Sequence, residues 1–207
     1  MAEVARTQVP AAGRVALALA VVIVVTVICL IVFFIVGGVF GPLNDIGNAL
    51  IGVLMAVLAI QLSGRITGAL RGLGVALAVI GAVVAAWGSW LVISGATTFL
   101  FAGFVTTIGY GFIAMLLALV CWSPVAKPWS GGVRSLGRVA AVFTIIGGIA
   151  AVPGLFSAAD DFNSLPPSLW GFSLAWLGVY VLLPVWSYRL ERLTTNPGIR
   201  VAGARSD

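Results

Sequence analysis

VALALAVVIVVTVICLIVFFIVGGVF, residues 15–40, runs for 26 residues without one charged side chain. As a helix rising 1.5 Å per residue, it is long enough to cross the ~30 Å hydrocarbon core of a bilayer. Arg6 and Arg14 ahead of it imitate the start of a secretory signal. The apolar part of such a signal is only about 7 to 15 residues long and closes on a small-residue cleavage site. This run has neither feature, so it is expected to remain in the protein as a tilted transmembrane helix.

Five further runs follow, over 46–62, 72–93, 98–121, 139–156 and 168–188. The composition agrees: 61% of the residues are hydrophobic and 8% are charged, against about 25% charged in a soluble domain. The expected fold is all-α, a polytopic bundle of six transmembrane helices. It divides into a tail over 1–14, one membrane domain over 15–188 and a second tail over 189–207. Gly41-Pro42-Leu43-Asn44-Asp45 reads as a tight first turn, with Asn44 or Asp45 capping the second helix. The segment 122–138, with Pro124, Pro128, Gly131 and Gly132, reads as an irregular loop. Pro166-Pro167 set the start of the last helix.

Eleven basic residues orient the bundle, because lysine and arginine beside membrane segments are retained on the cytoplasmic side. All of them fall in the two tails or in the second and fourth connections. The first, third and fifth connections hold Asp45, Asp160 and Asp161 instead. Both termini are therefore expected in the cytoplasm. Tryptophan gives a second signal, since its ring favours the headgroup level. Trp87, Trp90 and Trp170 lie towards the outer helix ends, Trp122, Trp129 and Trp186 towards the inner ones, and Trp176 is deep. Ten arginines to one lysine, with abundant Ala, Gly and Val, suggest a high-GC bacterial genome and hence a bacterial plasma membrane.

The net charge of +5 belongs to topology, since no basic patch is large enough for a nucleic-acid footprint. The chain has no histidine, which removes imidazole metal ligation and histidine proton relays. Cys29 and Cys121 lie in separate runs without CxxC spacing, as small core residues and not as a pair. On these boundaries no helix interior holds an ionisable side chain, and such residues are where intramembrane chemistry usually resides. No acid/base pair, activated nucleophile or phosphate loop is visible. Neither enzymatic activity nor a cofactor is expected.

Two constellations and one packing pattern remain. On the outer face, Asp45 and Asn48 share one side of the second helix. With Asp160, Asp161 and Asn163 they could offer oxygens to a hard cation; the alternative is plain capping and solvation, and the spacing matches no calcium motif. Within the membrane, Thr106 and Tyr110 stand at i, i+4, as do Trp176 and Tyr180, and together they could line a cavity. Their alternative is core filling and back-bonded hydroxyls. Pro184 removes a helical donor four residues after Tyr180 and is expected to kink the last helix. Stripes of small residues run along the third helix (Gly74, Ala78, Ala82 and Ala86, beside Gly81, Ala85 and Ser89). Others mark the fourth (Gly103, Thr107, Gly111) and fifth (Ala140, Thr144, Gly148). This spacing lets helix backbones approach closely, and two stripes on the third helix suggest it as the bundle's centre.

Packing stripes beside scarce chemistry favour a non-enzymatic protein acting through helix packing. It would be an accessory subunit or lipid-contacting scaffold, with membrane lipids and a membrane-protein partner or second copy as its contacts. The alternative is a small transporter or channel for a neutral or weakly cationic solute.

Overall fold

The computed structural model describes residues 2–157 and 163–195. Five long helices come first: α1 (Ala2–Val36), α2 (Phe40–Leu62), α3 (Ala69–Ile93), α4 (Phe99–Trp122) and α5 (Gly131–Ala151). The sixth span is built in pieces. A 3₁₀ stretch (Pro167–Phe172) leads into α6 (Ser173–Trp176), a π-helical turn (Leu177–Leu182) and α7 (Leu183–Thr195). Among the described residues six spans are long and apolar enough to cross a membrane, as in a multi-pass membrane protein. Among the described residues there is no strand.

The first turn lies four residues earlier than the sequence suggests. Gly37 and Gly38 adopt φ of 74° and 67°, a left-handed conformation that glycine alone enters without steric cost. They end α1, and α2 begins at Phe40. Pro42 then sits in the first helical turn, where the backbone N–H groups have no intrahelical partner anyway. Asn44 and Asp45 are consequently not caps. They lie about one and a half turns inside α2, and both are buried. The expectation that helix interiors lack ionisable groups is corrected by Asp45 here and by Arg138, eight residues into the fifth helix.

The fourth connection is also shorter than expected. Ser130 Oγ accepts from the Val133 backbone N–H, which starts α5 at Gly131 and puts Arg134 and Arg138 on the helix. Two arginines instead satisfy carbonyls at helix ends. Arg138 Nε donates to the Cys121 carbonyl at 3.1 Å and lies over the Trp122 ring at 5.2 Å. Arg71 Nε donates to the Ser63 carbonyl at 3.1 Å. Cations at these carboxyl ends also oppose the negative pole of the helix dipole.

α4 is the centre of the bundle, where the stripes on α3 had pointed to α3 itself. Of its most apolar 18-residue stretch 67% is buried, against 28% for α3. The two stripes of α3 merge into a single face: Gly74, Ala78, Gly81, Ala85, Gly88 and Ser89 are buried. Leu73, Val79, Ile80, Val83, Trp87 and Trp90 are exposed on the other side. α4 packs between α3 and α5, with part of α2 against it. The contacts are close enough that a methyl group would not fit. A Cβ on Gly81 would run into the Gly109 carbonyl, and one on Gly111 would stand 3.1 Å from the Gly148 Cα. In lipid, where apolar surface gains nothing by leaving water, this close van der Waals contact is what holds helices together. α1 closes the bundle by packing on α2 and α7. Gly13 abuts Thr194, so the two ends of the membrane domain share one end of the bundle.

Candidate functional site

A group of polar side chains converges near the other end of the bundle, below the turns over 37–39 and 94–98. A small cavity of about 30 Å³ opens there, room for about one or two waters or a small ion. Its polar lining comes from Asn44, Asp45 and Asn48 of α2, Ser89 of α3 and Thr106, Thr107 and Tyr110 of α4, with Trp176 and Tyr180 of the sixth span. Phe99 near the mouth opens α4 and Tyr110 lies eleven residues further on. The cavity thus descends roughly 16 Å along α4, to about its midpoint.

Each element brings its side chain for a local reason. α2 contributes because the Gly37–Gly38 turn starts it early enough to carry Asn44 and Asp45 inward. Gly47 of α2 abuts Thr26 and Gly52 faces Ala85, so α2 sits tight between α1 and α3 and turns Asn48 towards α4. α3 and α4 touch through Gly81, Gly88 and Gly109, which brings Thr106 Oγ1 to 3.5 Å from the Ala85 carbonyl. On the sixth span, the Leu183 N–H donates five residues back to the Gly178 carbonyl. The helix therefore takes in one residue more than an α-turn just ahead of Pro184, which supplies no N–H of its own. Such π-turns recur at functional positions, and this one contains Tyr180.

Asn48 ties three helices together. The Tyr180 hydroxyl donates to Asn48 Oδ1 at 2.7 Å, and the Tyr110 hydroxyl donates to the Asn48 main-chain carbonyl at 2.8 Å. These bonds form the inner limit of the cavity. Beside it runs a ladder of edge-to-face rings, Phe104 to Phe172 at 5.1 Å, Phe172 to Trp176 at 5.2 Å and Trp176 to Tyr180 at 6.3 Å. Near the mouth the Asn44 amide donates to Asp45 Oδ1 at 3.3 Å, while Asn44 Oδ1 is buried without a partner. Asp45 is 7% exposed and Asn44 1%.

Thr106, Tyr110, Trp176 and Tyr180, grouped by spacing alone, line one cavity here. Asp45 and Asn48, assigned in the sequence to a separate outer cluster, line the same one. Asp160 and Asp161 lie outside the described residues; Asn163 is exposed in a turn. Gly103, read as part of a packing stripe, lines the cavity instead, with nothing within 4 Å of where its Cβ would be. Among the described residues no group of three or more His, Cys, Asp or Glu gathers in metal-binding fashion. Asn44 was missed as a site residue. The Gly37-Gly38 pair is the signal that finds it, since ending α1 there moves residue 44 into the next helix.

Compared with protein-family models, curated proteins and solved structures, the chain matches none.

Proposed function

We propose that this chain is a non-enzymatic protein of a bacterial plasma membrane, with both termini in the cytoplasm, that admits a small neutral or weakly cationic solute as a transporter or channel. The observation that carries the reading is the polar cavity itself. It places amide, carboxyl and hydroxyl groups beside one another down to the middle of α4, whereas the other buried polar side chains, Thr26, Ser63, Thr144 and Ser187, are scattered through the bundle. An ionisable side chain at membrane depth, here Asp45, is costly and marks substrate and ion pathways. The broken backbone of the sixth span supports the same reading, because irregular backbone at that depth belongs where it lines a cavity.

The orientation rests on the eleven basic residues. On it, the cavity opens away from the cytoplasm.

The other reading is an accessory subunit or lipid-contacting scaffold that acts through helix packing. It draws on the small-residue stripes, and helices of this same chain pack against them at Gly74, Gly81, Gly111 and Gly148, with Gly103 left open. What α3 leaves for a partner is its outer face, where Trp87 and Trp90 stack at 4.9 Å, both exposed. Indole rings in that position suit lipid headgroups.

The test is a thermal-shift screen of the purified chain in mild detergent against small neutral and monocationic solutes, followed by uptake into proteoliposomes. The reading expects a solute that stabilises the wild type and loses its effect when Gly103→Leu fills the cavity. If no solute stabilises the wild type and a second membrane protein co-purifies in fixed ratio, the packing reading replaces it.

A further inference from the structure

The hydrogen-bond pattern of the cavity has a sign. Four hydroxyls at its wall spend their protons elsewhere: Tyr180 on Asn48 Oδ1 at 2.7 Å, Tyr110 on the Asn48 carbonyl at 2.8 Å, Ser89 on the Ala85 carbonyl at 3.2 Å and Thr106 on the same carbonyl at 3.5 Å. Those oxygens therefore present lone pairs. The Asn44 amide N–H points at Asp45 Oδ1, and its own Oδ1 is buried and unpaired on a residue that lines the cavity. Among the described residues no basic side chain forms an ion pair with Asp45. A buried carbonyl oxygen without a donor is costly, and a buried carboxyl group beside it without a counter-charge is more so. A bound cation relieves both.

The charge and hardness of the ligands narrow its class. Amide and carboxyl oxygens suit hard cations. A calcium site gathers six to eight oxygens, several of them carboxylates, whereas α2 offers one carboxyl group here. We infer that Asp45 and Asn44 form a binding site for a monovalent alkali-metal cation, with sodium as the probe, held by the Asp45 carboxylate and Asn44 Oδ1. The inference deepens the reading of the cavity as a solute site and names the ion that this site takes. Such an ion would enter through the same mouth as the solute.

The experiment uses the purified full chain in mild detergent at fixed ionic strength and pH, with choline chloride exchanged stepwise for sodium chloride. Unfolding midpoints and equilibrium binding of radioactive sodium are both recorded. The expected result is saturable stabilisation by sodium, with one ion bound per chain. Asp45→Asn should abolish saturable binding, and Asn44→Ala should weaken it by about tenfold. Should Asp45→Asn fail to fold, wild-type binding and Asn44→Ala still decide.

Stabilisation equal in choline and sodium would overturn the site, as would sodium binding unchanged in Asp45→Asn. So would a response to ammonium or methylammonium without one to sodium, or to acid alone. A solute shift that persists in choline while sodium does nothing sinks the ion site and leaves the cavity reading standing. Loss of both responses sinks both.

Discussion

Tyr180 and Asn48 are 132 residues apart in the chain and meet at 2.7 Å, hydroxyl to side-chain carbonyl. Removing the donor leaves a partly buried acceptor without its proton, which typically costs about 1–3 kcal/mol. Tyr180→Phe is therefore expected to lower the unfolding midpoint, and Asn48→Ala to do likewise. Because both remove one bond, the double variant should cost less than the sum of the singles, by about 1 kcal/mol in a double-mutant cycle. Strict additivity would mean that the bond contributes nothing.

Two glycines on neighbouring helices should answer differently to one added methyl group. At Gly81 it meets the Gly109 carbonyl and the Phe112 and Ile113 side chains, so Gly81→Ala forces α3 and α4 apart at about 1–3 kcal/mol. At Gly103 it meets nothing within 4 Å, so Gly103→Ala should be neutral or stabilise by up to about 1 kcal/mol, the helix preference of alanine over glycine. Unfolding midpoints of the two variants check this, and equal losses would contradict the packing described for α4.

The position of the first turn can be tested at residues where an added methyl group would meet nothing. Gly37 and Gly38 have open space around them and positive φ, so Gly37→Ala and Gly38→Ala are each expected to cost about 1–2 kcal/mol through backbone strain alone. Pro42→Ala, in the first turn of α2, should stay within about 0.5 kcal/mol. The reverse ranking would return the turn to 41–45.

Sidedness is measurable by labelling. In a background carrying Cys29→Ser and Cys121→Ala, a cysteine at Ala96, exposed in the turn between α3 and α4, should react with an impermeant maleimide added to whole cells. One at Lys127, exposed at the opposite end, should react only after the membrane is opened. The opposite pattern would invert the proposed topology.

The six spans are legible because each depends only on length and hydropathy along one helix. The pairings Thr106 with Tyr110 and Trp176 with Tyr180 are legible for the same reason, as each is a single-helix spacing. What brings those pairs to Asn48 is which helices adjoin. That depends on close contacts such as Gly111 on Gly148 and Gly81 on Gly109, and spacing within one helix does not say where a stripe points. Asn44 and Asp45 were misplaced for a local reason. Gly41-Pro42 followed by Asn and Asp has the chemistry of a turn, and two glycines four residues upstream outcompete it by taking the left-handed conformation first.

The depth of Asp45 has an electrical consequence. Its Cα stands five residues into α2, about 7.5 Å along the axis, which is roughly a quarter of a ~30 Å hydrocarbon core when that core begins at Phe40. A full elementary charge crossing the membrane does work of about 2.3 kcal/mol per 100 mV. An ion drawn from the mouth to Asp45 would cross about a quarter of that field, so its affinity should shift by about 0.6 kcal/mol for each 100 mV, roughly a factor of three. Occupancy of this site would then follow the resting potential of the membrane as well as the concentration of the ion.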